Sequence, residues 1–381
     1  MYSIRNNCVI CNNNILYELY CFTNFPIKFT LTNKEGIDYI MEDISINFCS
    51  ICNTIQINKL INLNILYDSP HNNNIIGKKW QNHYIEFSKF IIKNTTNLNK
   101  VLEIGSGTDK IVRFFNNDYY DNWFLMDPNI NHYNNSKIKY INKIFDEDFN
   151  TTNNKYNTII NSHLLEHLHT PQQIIKKMNE VLEPNGTMFI SIPNLEYYSI
   201  DSNPLMGLNF EHTYFINEMN FIYLMNSNNF EICDKQLYND HSIFYYVKKI
   251  DQPLIDNIDL KLLNIYNKSF INLFKDKIAQ YSNYIKCIND NISNKSNIYL
   301  FACHPNSQFL LNMGLNIINI HFILDNDESK HDKILYGTKL VCKSPNIISN
   351  LNNPIVICPP SPYLQEITSQ LKSINKNIII I

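Results

Sequence analysis

The stretch V-L-E-I-G-S-G-T-D, residues 101–109, decides the fold: an apolar run interrupted by one carboxylate, then two glycines one residue apart. Glycine is scarce here, 8 in 381 residues, so two at neighbouring turn positions call for a mechanical reason. Where a buried strand hands over to a helix, a backbone without side chains lets a ligand come close, at the carboxyl edge where open α/β sheets bind ligands. Working outward, the hydrophobic period predicts a strand over 99–104, a helix over 108–115 and strands over 122–126, 138–141 and 156–161. A marked helix follows, with Thr170 as cap, Pro171 at its first position, and Ile174, Ile175, Met178, Val181 and Leu182 as its inner face. Glu183-Pro184-Asn185-Gly186 reads as the turn that ends it, and 187–192 as a fifth strand. Upstream, Trp80, Tyr84, Phe87 and Ile91 form one helical stripe. Strands alternating with helices predict an α/β fold with a parallel sheet covered on both faces.

The second strand ends in F-L-M-D-P-N (124–129), which places Asp127 about 20 residues beyond Gly107. A carboxylate there accepts hydrogen bonds from both hydroxyls of a ribose, so the ligand is expected to carry one. A dinucleotide fold prefers a third glycine for close helix packing, whereas Thr108, Asp109 and Lys110 follow Gly107 here. Glu103-Ile104-Gly105-Ser106-Gly107 instead resembles motif I of the class I methyltransferases, which bind S-adenosylmethionine.

Net charge is −3 with no sustained basic run, which argues against nucleic acid as a main partner. No apolar stretch approaches the roughly 20 residues of a membrane span, and the N-terminus M-Y-S-I-R-N-N-C-V-I-C lacks the apolar region of a signal peptide. A cytoplasmic setting is expected, in which the ten cysteines stay reduced. Four of them form two pairs, Cys8-Val-Ile-Cys11 and Cys49-Ser-Ile-Cys52. Two such knuckles complete a tetrahedral thiolate site, a closed one suited to a structural Zn²⁺. Cys21 lies between them without a pair, and the remaining five are expected in core positions.

The segment N-S-H-L-L-E-H-L-H-T-P-Q-Q-I-I-K-K-M-N-E-V-L-E-P-N-G-T-M-F-I-S-I-P-N (161–194) resembles the stretch after motif I in many methyltransferases, where the fourth strand enters a Leu-Glu-His turn. With the cysteine module in front and N-I-Y-L-F-A-C-H-P-N-S-Q-F-L-L (297–311) through Asp325-Asn326-Asp327 and Gly337-Thr338 behind, the whole chain resembles the sugar C-methyltransferases that act on nucleotide-linked 4-keto-deoxyhexoses. That likeness implies three domains: a zinc-binding domain over 1–66, a Rossmann-like cofactor domain over 67–250 with a helical lead-in at 67–98, and a second Rossmann-like α/β domain over 251–381 with a helical connector at 251–295. The first turn of the last domain, Ala302-Cys303-His304-Pro305-Asn306, has no glycine, so no second nucleotide cofactor is expected there.

The resemblance also implies roles. Glu103, Gly105, Ser106, Gly107, Asp127, Ser162 and His163 would hold S-adenosylmethionine, with Phe145 of I-F-D-E-D covering the adenine. In N-F-E-H-T-Y-F (209–215), His212 would remove the proton beside the 4-keto group, Glu211 would orient it, and the enolate would take the methyl. Asn209 stands where the family often has Tyr; it can donate to an enolate oxygen but cannot pass a proton. That departure, and Asn72-Asn73-Asn74 in place of a Tyr-rich segment, keeps open an O- or N-methyltransferase on a nucleotide sugar. A cofactor-binding scaffold without catalysis is the alternative of a different class. His167 is expected at the turn, and His169, His241 and His331 as structural or exposed. The substrate is expected to be a nucleotide-diphosphate sugar and the chain a monomer or homodimer.

Overall fold

The computed structural model describes residues 1–33, 39–67, 78–95, 98–130, 137–150, 155–197, 207–239, 241–252, 260–361 and 364–381. Asn72, Asn73 and Asn74 lie outside the described residues. The described residues fall into two compact units, drawn from 1–17, 47–198 and 211–269, and from 18–46, 199–210 and 270–381. Among them no helix is long and apolar enough to cross a membrane.

The first unit is built on a seven-stranded sheet, in the order Phe230–Tyr238, Ser242–Lys249, Leu182–Pro193, Tyr156–Ser162, Val101–Ile104, Trp123–Met126, Lys139–Ile141. The five strands anticipated from the hydrophobic period are present and mutually parallel. The sheet as a whole is mixed, however, because Ser242–Lys249 runs antiparallel to both of its neighbours. Val101 pairs with Thr158 on one side and with Trp123 on the other, so the strand leading to Gly105 is interior to the sheet, and all four of its residues are buried. Its core joins Phe87, Phe90 and Ile91 of the helix Lys78–Asn94 to Trp123, Leu125, Ile160, Phe189 and Phe244.

Three local expectations are corrected. Residues 108–115 do not form an α-helix; only the short 3₁₀ turn Val112–Phe114 is present. Arg113 N reaches Asp109 O at 3.3 Å, but the next amides bond three residues back, and Asn116-Asn117 follow where a helix would need to continue. Thr170 does precede the helix Pro171–Val181, but its hydroxyl donates to Glu147 at 3.0 Å instead of capping. Residues 183–186 do not stand apart as a turn: they lie within the strand Leu182–Pro193 as a register irregularity, with Asn185 at φ +61.

The second unit contains a five-stranded sheet in the order Cys342–Lys343, Ile320–Leu324, Ile298–Phe301, Ile355–Ile357, Ile379–Ile380, parallel throughout. The 33-residue helix Leu260–Ile292 precedes it, and its last turns lay Tyr281, Ile285, Ile288 and Ile292 on the sheet. Cys303, Cys342 and Cys358 are buried as expected of core cysteines, whereas Cys233 and Cys287 are exposed, a correction.

Candidate functional site

A cavity of about 390 Å³ opens at the carboxyl ends of the parallel strands in the first unit. Its floor is the turn after Val101–Ile104. Gly105 and Gly107 have φ of +73° and +59°, the left-handed region that suits residues without a Cβ. A Cβ on Gly105 would stand 3.1 Å from Leu164 Cδ1. Asp127 braces the turn: Gly107 N donates to its Oδ2 at 3.0 Å and Asn129 N to its Oδ1 at 2.8 Å.

Among the buried polar atoms around this cavity, Ser106 Oγ, Glu103 Oε1 and Glu166 Oε2 meet no hydrogen-bond partner among the described residues. Buried polar atoms are rarely left so, and with the glycine cradle they fit a bound polar cofactor. Glu103 accepts from Trp123 Nε1 at 2.9 Å through its other oxygen. Burial raises its pKa to about 8, since the charged form would be taken out of water. Phe145 lines the cavity and packs on Phe149 at 5.0 Å. Ser162 and His163 line it too. Ser162 Oγ lies 3.0 Å from His83 Nε2, and His163 Nε2 lies 2.8 Å from Ser242 Oγ. Ser242 is also reached by His241 Nδ1 at 2.6 Å and His83 Nδ1 at 3.2 Å, which gives His241 its structural place.

Glu211 and His212 both line the cavity. Asn209 is buried and belongs to the second compact unit. The His212 pKa falls to about 4 because burial disfavours the imidazolium, with His167 adding repulsion. His212 therefore stands as neutral imidazole, the form that takes a proton. His167 packs edge-on against it at 4.6 Å and meets Tyr67 Oη at 3.1 Å through Nδ1. Glu166, 2% exposed, has a pKa lowered to about 2: burial alone would raise it, and hydrogen bonding and charge from His163, His167 and His212 outweigh that.

The segment carrying Glu211 and His212 is fixed from two directions. Thr213 N donates to Glu166 O at 3.0 Å, Thr213 Oγ1 to Leu168 O at 2.9 Å, and Tyr214 Oη to Leu165 O at 2.8 Å. On the other side Ile57 N donates to Thr213 O and Phe215 N to Ile55 O, both at 2.9 Å, so the segment pairs antiparallel with the strand Ile55–Ile57. Arg5 locks this junction, donating to Ile57 O, Thr213 O and His169 O at 3.1, 2.9 and 2.8 Å. Gln56 ties it to the cysteine module by accepting from Val9 N at 2.9 Å. Sequence reading missed Arg5, Gln56, Thr213 and Tyr214 as supports and Glu166 and Tyr67 as lining. One signal was available: Arg5 is one of only two arginines in the chain.

Cys8, Cys11, Cys49 and Cys52 come together, with all four sulfurs within 4.8 Å of one another. Cys8–Cys52 and Cys11–Cys49 are each 3.5 Å apart. Metal–sulfur bonds of about 2.3 Å in a tetrahedron imply sulfur–sulfur edges of about 3.8 Å, so the set fits a tetrahedral ion. The two knuckles repeat one geometry, Ile10 N to Cys8 Sγ and Ile51 N to Cys49 Sγ, each at 3.4 Å. Cys21 takes no part in this group.

Residues 77–235 match the family model described as "Methyltransferase domain". No curated protein sequence matches the chain. Among solved structures it is similar to an S-adenosylmethionine-dependent methyltransferase from Listeria monocytogenes, at 14% identity and a TM-score of 0.35, over 44% of this chain and 100% of that one. It is also similar to the N-methyltransferase NodS of Bradyrhizobium japonicum in complex with S-adenosyl-L-homocysteine, at 12% identity and a TM-score of 0.33, over 46% of this chain and 90% of that one. The family match falls on the strands that lead to Gly105, Gly107 and Asp127, so the segment 77–235 that resembles a methyltransferase domain is the one that builds this cavity.

Proposed function

We propose that the chain methylates a nucleotide-diphosphate-linked deoxysugar at the carbon beside a 4-keto group. The observation that carries this reading is the Glu211–His212 pair at the wall of the same cavity that Gly105, Ser106 and Asp127 line. When bound, S-adenosylmethionine supplies a methyl group on a sulfonium, an electrophile that needs no acid. The remaining work belongs to the protein: to hold the acceptor, exclude water and take one proton. Asp127 and the glycine turn hold the cofactor's ribose and backbone side, and Phe145 covers an aromatic ring. The Glu211–His212 pair accepts the acceptor's proton, with neutral His212 ready for it. Methylation at a sugar hydroxyl or amine draws on the same pair, and is favoured by Asn209 where a proton-passing Tyr is absent from the motif.

The test offers isotopically labelled S-adenosylmethionine with a nucleotide-linked 4-keto-6-deoxyhexose and its 4-hydroxy and 4-amino counterparts. Label on ring carbon with the ketone alone is expected; label on oxygen or nitrogen moves the reaction to the second reading. His212→Ala is expected to keep cofactor affinity while turnover falls by about 100-fold or more. Turnover near the wild-type rate would remove His212 from the chemistry.

The four cysteines are proposed to hold a structural Zn²⁺ whose task is mechanical. Through Gln56 and the strand Ile55–Ile57 the module supports Thr213, and so the neighbouring His212. One zinc per chain is expected by elemental analysis. Cys49→Ser is expected to lose it and to lower turnover more than S-adenosylmethionine affinity; equal metal content in that variant would remove the site.

A further inference from the structure

The structure assigns a second metal site: we propose that Glu166, His167 and His212 bind a divalent first-row transition cation whose open positions face the methyl acceptor. This rests on the reading of the cavity as the place where the acceptor sits. Each residue offers one ligand atom, and the three atoms lie within 4.8 Å of one another. Metal–ligand bonds of about 2.0–2.2 Å bring such atoms to about 3–3.5 Å apart, a closure within reach of small side-chain rotations. All three residues line the cavity, so the site has an entrance.

Two observations point to a cation there. Glu166 is 2% exposed, and its Oε2 is among the buried atoms that meet no partner among the described residues. Its Oε1 is held by His163 Nδ1 at 3.3 Å, which fixes the carboxylate. Glu166, Glu211 and Asp127 are also gathered on one cavity, close enough that all three act on the Tyr67 hydroxyl. Lys110 and Lys143 line the same cavity, one positive charge each. The His167 ring is held by Tyr67 Oη at Nδ1, and when it donates there Nε2 carries the ligating lone pair. The other three-histidine group, His83, His163 and His241, spends ring nitrogens on Ser242 and Ser162 and has no such orphaned carboxylate.

Two imidazoles and one carboxylate suit Mn²⁺, Fe²⁺, Co²⁺ or Zn²⁺ better than Mg²⁺ or Ca²⁺, and leave coordination positions open. A cation there binds the acceptor's oxygen and takes up the negative charge that develops as the proton leaves. With His212 ligating, the proton passes to Glu211, the one change this site makes to the reading above. Methyl transfer then balances as before: the acceptor's electron pair forms the bond to the methyl carbon, and the carbon–sulfur pair stays on sulfur.

The test is a titration of Mn²⁺ into the full-length protein, read by loss of the free aqueous Mn²⁺ signal in electron paramagnetic resonance. One ion is expected per chain, with affinity at least 10-fold weaker in Glu166→Gln and in His167→Gln. Thermal melts establish that each variant is folded. No bound Mn²⁺ in the wild type up to millimolar concentrations overturns the proposal, and so does wild-type affinity in both folded variants. S-adenosylmethionine calorimetry on the same samples separates the two readings: cofactor binding without Mn²⁺ binding sinks the metal site alone, and Mn²⁺ binding without cofactor binding sinks the methyltransferase reading alone.

Discussion

In the sheet that contains Val101–Ile104, Asp127 follows the second strand and accepts from Gly107 N at 3.0 Å and Asn129 N at 2.8 Å. In the sheet that contains Ile298–Phe301, Asp325 follows the second strand and accepts from Cys303 N at 3.0 Å and Asp327 N at 2.9 Å. Both acids brace the turn after the first strand and their own strand end, each accepting from one amide of that turn and from the amide two residues beyond itself. The surroundings differ. Asp127 borders a cavity, whereas Asp325 carries Lys330 Nζ at 2.9 Å, and that ammonium also reaches Cys303 O at 3.1 Å. The second turn is followed at once by the helix Pro305–Asn312, whose first amides are served by His304. An acid after the second strand is thus a brace that the fold itself wants. What differs is the turn each acid braces: two glycines at positive φ in the first, none in the second.

The largest difference between the two sheets lies one position before the strand end, where Glu103 stands in the first and Leu300 in the second, both buried. Burial holds the Glu103 pKa at about 8 against an ordinary 4.5. Below about pH 4.5 the group is neutral in folded and unfolded chains alike and costs nothing. As pH rises toward 8 the unfolded chain ionises first, so stability falls through that window. At pH 7 the penalty is about 3 kcal/mol. Glu103→Gln, which keeps an acceptor for Trp123, is expected to stabilise the protein by that order at pH 7, with the gain vanishing near pH 4. Denaturant melts at several pH values check it, and a gain that does not vary with pH would refute the buried-carboxyl account.

Next in size is the contrast between the two braces. Asp127→Ala is expected to weaken S-adenosylmethionine binding by about 1–3 kcal/mol, the range for hydrogen bonds to a charged acceptor. Asp325→Ala is expected to lower stability by a similar amount, since Lys330 and two amides lose their acceptor, while cofactor affinity stays unchanged. Calorimetry and thermal melts on both variants separate the effects. Loss of cofactor affinity in Asp325→Ala would break the comparison.

Much of this contrast was legible in the sequence because it rests on chain-local signals. Gly105, Gly107 and Asp127 are read from spacing alone, and the strands from the apolar period. The absence of glycine from the turn 302–306 is likewise read from the sequence alone. The helix expected over 108–115 failed because its pattern, one apolar cluster followed by Asn116-Asn117, is equally that of a single turn. The antiparallel strand Ser242–Lys249 left no mark, since direction is set by pairing with Leu182–Pro193 far back in the chain. The supports of His212 were hidden for the same reason: Arg5 reaches Thr213 and Gln56 pairs with Tyr214 across more than 150 residues, and nothing in a local pattern records a contact of that kind.

The smallest expected effect tests the glycine half of the comparison. Gly105 sits at φ +73°, and a Cβ there would approach Leu164 Cδ1 at 3.1 Å, the end of a side chain that can yield. Gly105→Ala is therefore expected to cost about 1 kcal/mol, mostly the left-handed backbone strain, with a similar loss of cofactor affinity as the turn shifts. The reverse change, Cys303→Gly, is expected to leave the second turn closed to nucleotides, because Lys330 still lies on Asp325 and on the carbonyl of residue 303. Opening it takes removal of the lysine as well, and that leaves Asp325, 6% exposed, without its counter-charge. Nucleotide binding by Cys303→Gly alone, measured by calorimetry, would show that glycine content by itself decides which turn binds. The expected silence of that variant assigns the decision to the lysine and the glycine together.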